Sequence, residues 1–254
     1  MTQDALVESA DGIMLITLNR PEARNAATLA AARIIAAALD ELDARDELRV
    51  AILTGAGGTF CSGMDLKRFL QGERPGVEGR GFLGLTQRRP AKPLIAAVEG
   101  YALAGGCETA LACDLIVAAD DAKFGLPEVK RGLAATAGGL LRLPRQIPQR
   151  IALELALTGD MIDARRAYEV GLVNRVTPKG QALAVARELA QTIVANAPLS
   201  VAATKRIVLE SADWDESGMW TRQGEIAAPV FASDDAKEGS RAFAEKRPPR
   251  WTGR

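Results

Sequence analysis

The stretch from Lys92 to Glu128 constrains this chain more than any other. It opens with an apolar, strand-like run, Leu94 to Val98, and leads to the glycine pair Gly105-Gly106. A helix-like segment, Cys107 to Ala112, follows directly, and a second apolar strand, Leu115 to Ala119, comes next. Two short apolar strands alternating with a helix predict an α/β fold with parallel strands buried on both faces. Glycines at a strand-to-helix passage let backbone approach a ligand closely, and the first N–H groups of a helix have no partner within it. Together with the positive helix end, they suit an oxygen that carries or develops negative charge. Glu108 sits in that first turn, and Glu128 follows Phe124-Gly125-Leu126-Pro127. Two carboxylates beside an oxyanion-binding backbone form the smallest set for acid/base work next to a carbonyl.

Composition matters here mainly for what it excludes. The chain has no histidine, so a Ser-His-Asp or Cys-His nucleophile and any His-ligated metal site are ruled out, and no metal is expected. Its 32 basic residues balance 32 acidic ones, which argues against a nucleic-acid footprint or an anionic membrane partner. Cys61, Cys107 and Cys113 are odd in number and form no C-x-x-C pair. They read as reduced packing thiols of a cytoplasmic protein. The first residues, MTQDALVESADG, lack a basic segment followed by an apolar one, so export is not expected. No apolar run approaches the ~20 residues needed to cross a bilayer.

Taken in order, Ile13 to Leu18 is a strand ended by Asn19-Arg20-Pro21. Thr28 caps a helix running to about Ala44, with Leu29, Ala32, Ile35, Leu39 and Leu42 at helical spacing. Val50 to Leu53 is a buried strand that stops at Gly55-Ala56-Gly57-Gly58, and Asp65 starts a further helix. Residues 68–89 hold five glycines and five arginines among scattered apolar residues, the character of a mobile functional loop or lid, an ordered connector being the other reading. Later helices are expected at 149–158, 164–170, 181–196, 199–212 and 235–246. We divide the chain into a core, residues 1–195, that carries the site, and a helical region, residues 196–254, suited to subunit contacts.

Four motifs give these elements a family likeness. They are Asn19-Arg20-Pro21-Glu22-Ala23-Arg24-Asn25-Ala26; Phe60-Cys61-Ser62-Gly63-Met64-Asp65-Leu66-Lys67; Ala104-Gly105-Gly106-Cys107-Glu108; and Phe124-Gly125-Leu126-Pro127-Glu128. Leu157-Thr158-Gly159, Glu169-Val170-Gly171-Leu172-Val173 and Phe243-Ala244-Glu245-Lys246-Arg247 extend the pattern. In this order the chain resembles the crotonase (enoyl-CoA hydratase/isomerase) family along nearly its whole length. The resemblance implies a spiral of ββα units with a C-terminal helical region, assembled as a homotrimer or a dimer of trimers. It also implies an acyl-coenzyme A thioester as ligand, with no cofactor beyond the coenzyme A of the substrate itself. By position, the N–H groups of Met64 and Gly105 would form the oxyanion hole, and Glu108 and Glu128 would be the catalytic pair. Ala23, Arg24, Ser62, Asp65, Leu66, Lys67 and Lys246 would contact coenzyme A, Lys246 from a neighbouring subunit.

Each assignment has a plainer counterpart. Glu108 in a first helical turn complements the helix dipole by itself, and Glu128 is placed to cap a helix or pair with Arg131. Lys67 and Lys246 also read as solvated charges. Cys107, next to Glu108, has no base to activate it and reads as packing, while Asp114 reads as holding backbone at a strand start. Phe82 and Leu83 are candidates for the acyl pocket. Two departures from the family pattern stand out: a large residue, Met64, at the first oxyanion position, and Leu140-Leu141-Arg142 where the family usually has Thr-Gln-Arg. The second, with Leu126-Pro127-Glu128-Val129-Lys130, is shared with a branch that includes hydratases of carnitine-type acyl-CoA. The leading expectation is reversible syn hydration of a trans-2-enoyl-CoA. The alternatives are an enoyl-CoA isomerase, a dehydratase of a specialised acyl-CoA, and a non-catalytic acyl-CoA or RNA binder.

Overall fold

The computed structural model describes residues 3–254. Its six-stranded sheet has the order β1-β2-β3-β6-β8-β11, built from Ala5–Ala10 (β1), Ile13–Leu18 (β2), Val50–Gly55 (β3), Leu94–Val98 (β6), Leu115–Ala119 (β8) and Arg175–Thr177 (β11). β1 and β2 form an antiparallel hairpin across Asp11-Gly12, both at positive φ, and every later pairing in the sheet is parallel. β3 and β6 are apolar on both faces because both are covered. On one face lies a core that includes Ile35, Leu39 and Leu42 of helix α1 (Leu29–Ala44). On the other, Ala182, Ala186 and Ala190 of helix α7 (Ala182–Val194) pack against Ile52, Ile95 and Val117. The small side chains on α7 let the helix lie close on the sheet.

A three-stranded sheet, order β10-β9-β7, carries the site side of the molecule. It joins Tyr101–Leu103 (β7), Lys123–Gly125 (β9) and Met161–Asp163 (β10). Helix α3 (Gly105–Ala112) leaves β7 with every residue buried, and α4 (Gly139–Gln146) packs beside it. α2 (Leu66–Leu70), α5 (Gln149–Thr158) and α6 (Ala164–Glu169) complete the core. Thr28 caps α1 as its sequence predicts, its Oγ1 accepting the Ala31 N–H.

Three expectations need correction. β1, β7, β9 to β11 and helix α9 (Met219–Ala232) carry sequence signals too weak to predict them; α9 holds an internal proline, Pro229, and no buried residue. The helix expected from Cys107 begins at Gly105. Residues 68–89 are an ordered connector rather than a loose lid. Their hairpin, Gly76–Val77 (β4) with Gly81–Phe82 (β5), is fastened by an ion pair from Arg80 to Asp40 and by Glu73, which accepts the Leu29 N–H at 2.9 Å. Leu83, Leu85 and Thr86 are buried.

Helices α8 (Pro198–Glu210), α9 and α10 (Asp234–Glu245) form the last part of the chain. α8 bears no fully buried residue, and its Lys205 ties it to the core: Nζ reaches Asp114 Oδ2 at 2.6 Å and the Lys92 carbonyl at 2.8 Å. Asp114 also accepts the Leu94 N–H at 2.8 Å, so it holds backbone at a strand start.

Candidate active site

Two backbone loops meet at the N-terminus of α3. The first runs from Phe60 to Asp65 and is held on one side by a bridge from Cys61 to Ala102 and on the other by a bridge from Met64 to Ala27. Asn25, buried and at positive φ, locks this loop in place. Its Nδ2 donates to the carbonyls of Ala56 and Thr59, and its Oδ1 accepts the Arg20 N–H. The second loop turns at Ala104, whose φ of 50° and ψ of −128° are unusual for a residue with a side chain. Such strain persists only where surrounding structure enforces it, and it collects at functional sites.

The glycines explain how closely the loops approach. A Cβ on Gly106 would overlap the Cys61 carbonyl, and one on Gly63, at φ +101°, would come within 2.9 Å of Ala104 Cβ and 3.5 Å of the Gly105 nitrogen. Met64 and Gly105 are thereby set side by side. Neither N–H donates to any protein acceptor among the described residues, and both remain free for a ligand oxygen. A Cβ on Gly105 would strike the Phe82 ring, so Phe82 forms a wall of this small space. Leu83 turns into the core instead and is fully buried.

Glu108 lies one turn into α3 with 3% of its surface exposed. Its Oε1 accepts the Gly139 N–H at 2.9 Å, and the fit is tight, since a Cβ on Gly139 would press on Glu108 Cγ at 3.0 Å. Burial raises the Glu108 carboxyl to about 7, opposed by bonds from the Gly139 and Ala137 backbones and reinforced by the nearby Glu128 charge. Glu128 stands in a short 3-10 turn, Pro127–Arg131, directly after β9. Burial raises its carboxyl as well, against the turn's own N–H and Arg131. Its Oε2 is buried with no hydrogen-bond partner. A buried, unpaired carboxylate oxygen costs about 1–3 kcal/mol or more, a penalty that a bound water or substrate group would relieve.

The remaining predicted residues fall into two groups. Ala23 and Arg24 form a turn whose Arg24 carbonyl accepts the Ser62 N–H at 3.1 Å, joining two predicted contact segments. Asp65 is committed to the protein itself. Its Oδ1 caps α2 through the Lys67 and Arg68 N–H groups, and its Oδ2 meets Arg20 at 3.0 Å. Leu66 and Lys67 beside it are exposed. Lys246 ends α10 in a left-handed turn, and no hydrogen bond or ion pair ties it to the site among the described residues. Cys107 is buried, its thiol pushed up by burial to about 12, consistent with packing. Sequence reasoning missed the structural task of Asn25 and the two arginines, Arg89 and Arg142, behind Glu108. A polar residue inside a motif is the only signal for the first, and fold proximity alone reveals the second. No cluster of three or more His, Cys, Asp or Glu residues capable of holding a metal occurs among the described residues.

Glycine-enforced amide donors beside one buried and one half-buried glutamate are the groups that acid/base chemistry at a carbonyl requires. The enoyl-CoA hydratase/isomerase family model matches residues 8–254, and the chain belongs to that family and has its crotonase fold. Enoyl-CoA hydratase EchA19 of Mycobacterium tuberculosis is 47% identical over 259 residues, covering 99% of this chain and 97% of that protein. A carnitinyl-CoA dehydratase of Salmonella enteritidis is 44% identical, covering 95% of each. A crystal structure of an enoyl-CoA hydratase from Mycobacterium tuberculosis H37Rv superposes with a TM-score of 0.98 at 60% identity, covering 100% of both chains.

Proposed function

We propose that this enzyme is an enoyl-CoA hydratase that adds water reversibly and with syn geometry to a trans-2-enoyl-CoA, giving the 3-hydroxyacyl-CoA. The observation that carries the reading is the pairing of Glu108 and Glu128, both buried enough to be raised, beside the free N–H groups of Met64 and Gly105. In this scheme the glutamates hold one water between them. Glu108, as carboxylate, takes a proton from the water as its oxygen attacks C3. The electrons of the double bond move toward the thioester oxygen, giving an enolate that the Met64 and Gly105 amides stabilise. Glu128, protonated, delivers a proton to C2 and the thioester carbonyl re-forms. Loss of one such amide donor typically raises a barrier by about 2.7–4 kcal/mol. Raised pKa values suit the task, since a carboxyl that titrates near the working pH exchanges protons in either direction.

Under this reading Ala23, Arg24, Ser62, Leu66 and Lys67 contact coenzyme A, and Asp65 acts by shaping their loop. Residues 1–195 carry the chemistry, and residues 196–254 carry subunit contacts in a homotrimer or a dimer of trimers. Dehydration of a specialised acyl-CoA is the same reaction run backwards, and the 44% identity to the carnitinyl-CoA dehydratase supports it. An isomerase needs only one base, so the presence of both glutamates favours hydration over isomerisation.

The test follows loss of the conjugated enoyl-thioester absorbance with crotonyl-CoA and trans-2-octenoyl-CoA. Wild type should consume at least one, and Glu108→Gln and Glu128→Gln should each slow turnover by about 10²–10⁴-fold. Full activity in either variant would overturn the paired-glutamate scheme, and absence of wild-type hydration would overturn the hydratase reading.

A further inference from the structure

A cavity of about 1150 Å³ opens behind Gly138, between α4 and helices α8 and α9. It lies next to the catalytic carboxylate, because Gly139 donates to Glu108 and a Cβ on Gly138 would overlap the Arg142 guanidinium. Leu199, Ala202, Ile226 and Val230 give it an apolar wall. Six cationic residues also line it, and four of them have carboxylate partners. Arg88 stands 4.0 Å from Asp40, Arg145 3.4 Å from Asp213, Lys205 2.6 Å from Asp114 and Arg206 2.8 Å from Glu210.

Arg89 and Arg142 are the exceptions. Neither makes a salt bridge among the described residues, and Arg89 Nε is buried with no hydrogen-bond partner at all. Arg142 donates to the Thr86 carbonyl. Burial and the charge of Arg89 together hold the Arg142 guanidinium below its usual range, with Glu108 only a partial offset. Two like charges are thus gathered in a partly apolar cavity with no carboxylate bonded to either, although Asp43, Glu210 and Asp213 also line it. Such an arrangement is unfavourable in the free protein and becomes favourable when a carboxylate enters.

We propose that this cavity receives the far end of the acyl group and that Arg89 and Arg142 bind a terminal carboxylate there, so that the substrates are coenzyme A monothioesters of unsaturated dicarboxylic acids. The inference rests on the acyl-CoA reading of the site given above. Charge also sets what the cavity rejects. A quaternary ammonium of the carnitine type would face two guanidiniums that lack a salt-bridge partner, so carnitinyl-CoA should be a poor substrate despite the likeness to dehydratases named for it.

The experiment compares pairs of equal length: trans-2-hexenoyl-CoA against trans-2-hexenedioyl-CoA in turnover, and hexanoyl-CoA against adipoyl-CoA in calorimetric binding. Wild type should favour the carboxylate-ended member by about tenfold or more in each. In Arg89→Leu the ratio should fall towards one, and Arg89→Lys should restore part of it. Equal binding of hexanoyl-CoA and adipoyl-CoA by wild type would overturn the subsite, as would a ratio that survives in Arg89→Leu. If Arg89→Leu weakens free coenzyme A as much as adipoyl-CoA, the arginines serve a coenzyme phosphate and the proposal falls. Preferential binding of adipoyl-CoA without any hydration would retain the subsite while removing the hydratase reading.

Discussion

Glu108 determines two opposing properties of the protein. Because its carboxyl rises from 4.5 to about 7, the folded state holds its proton more tightly than the unfolded chain. The stability this provides is complete below the unfolded value and is lost as pH climbs through the folded one, a swing of up to roughly 3 kcal/mol. Glu108→Gln removes that loss and keeps an oxygen for the Gly139 N–H. The melting temperature of the variant minus that of wild type should therefore grow between pH 5 and pH 8 by several degrees, as calorimetry can measure. Activity should run the other way in wild type, with kcat/KM rising as pH passes about 7 and Glu108 ionises to serve as base. With no histidine in the chain, no ordinary histidine titration overlies either profile.

At the scale of elements, α3 and the loop that faces it act as one unit. Gly106→Ala would push a methyl group into the Cys61 carbonyl and should destabilise the fold by about 1–3 kcal/mol, seen as a lower denaturation midpoint. Asp65→Ala removes the α2 cap and the Arg20 partner together, and a loss of about 1–2 kcal/mol is expected by the same measurement. The sequence predicts β2, α1, β6 and β8 well because each carries strong apolar periodicity or a cap that acts locally. It was less informative about β7, β9 and β10, three-residue strands paired only through distant partners. Pro229 and Gly224 hid α9, where contact with α8 outweighs propensity. The site showed the same division. Glu108, Glu128 and Gly105 stand in motifs, whereas Arg89 and Arg142 are 53 residues apart and meet only after folding.

For the molecule as a whole, the helical C-terminal region leaves large apolar side chains in solvent. Phe243 is 88% exposed, Phe231 81% and Trp220 69%, which a single chain gains nothing by displaying. Sedimentation should give the mass of three or six chains, and Phe231→Asp with Phe243→Asp should lower it while circular dichroism stays unchanged. The three cysteines have a further use. Cys61, Cys107 and Cys113 all lie between β3 and β8 and are buried, Cys61 and Cys107 where the two loops meet and Cys113 at the far end of α3, with burial pushing each thiol upward. An alkylating reagent reaches none of them until the core opens. The speed at which the protein is alkylated is therefore a clock for opening of the active-site core, and it should slow when an acyl-CoA holds that core shut.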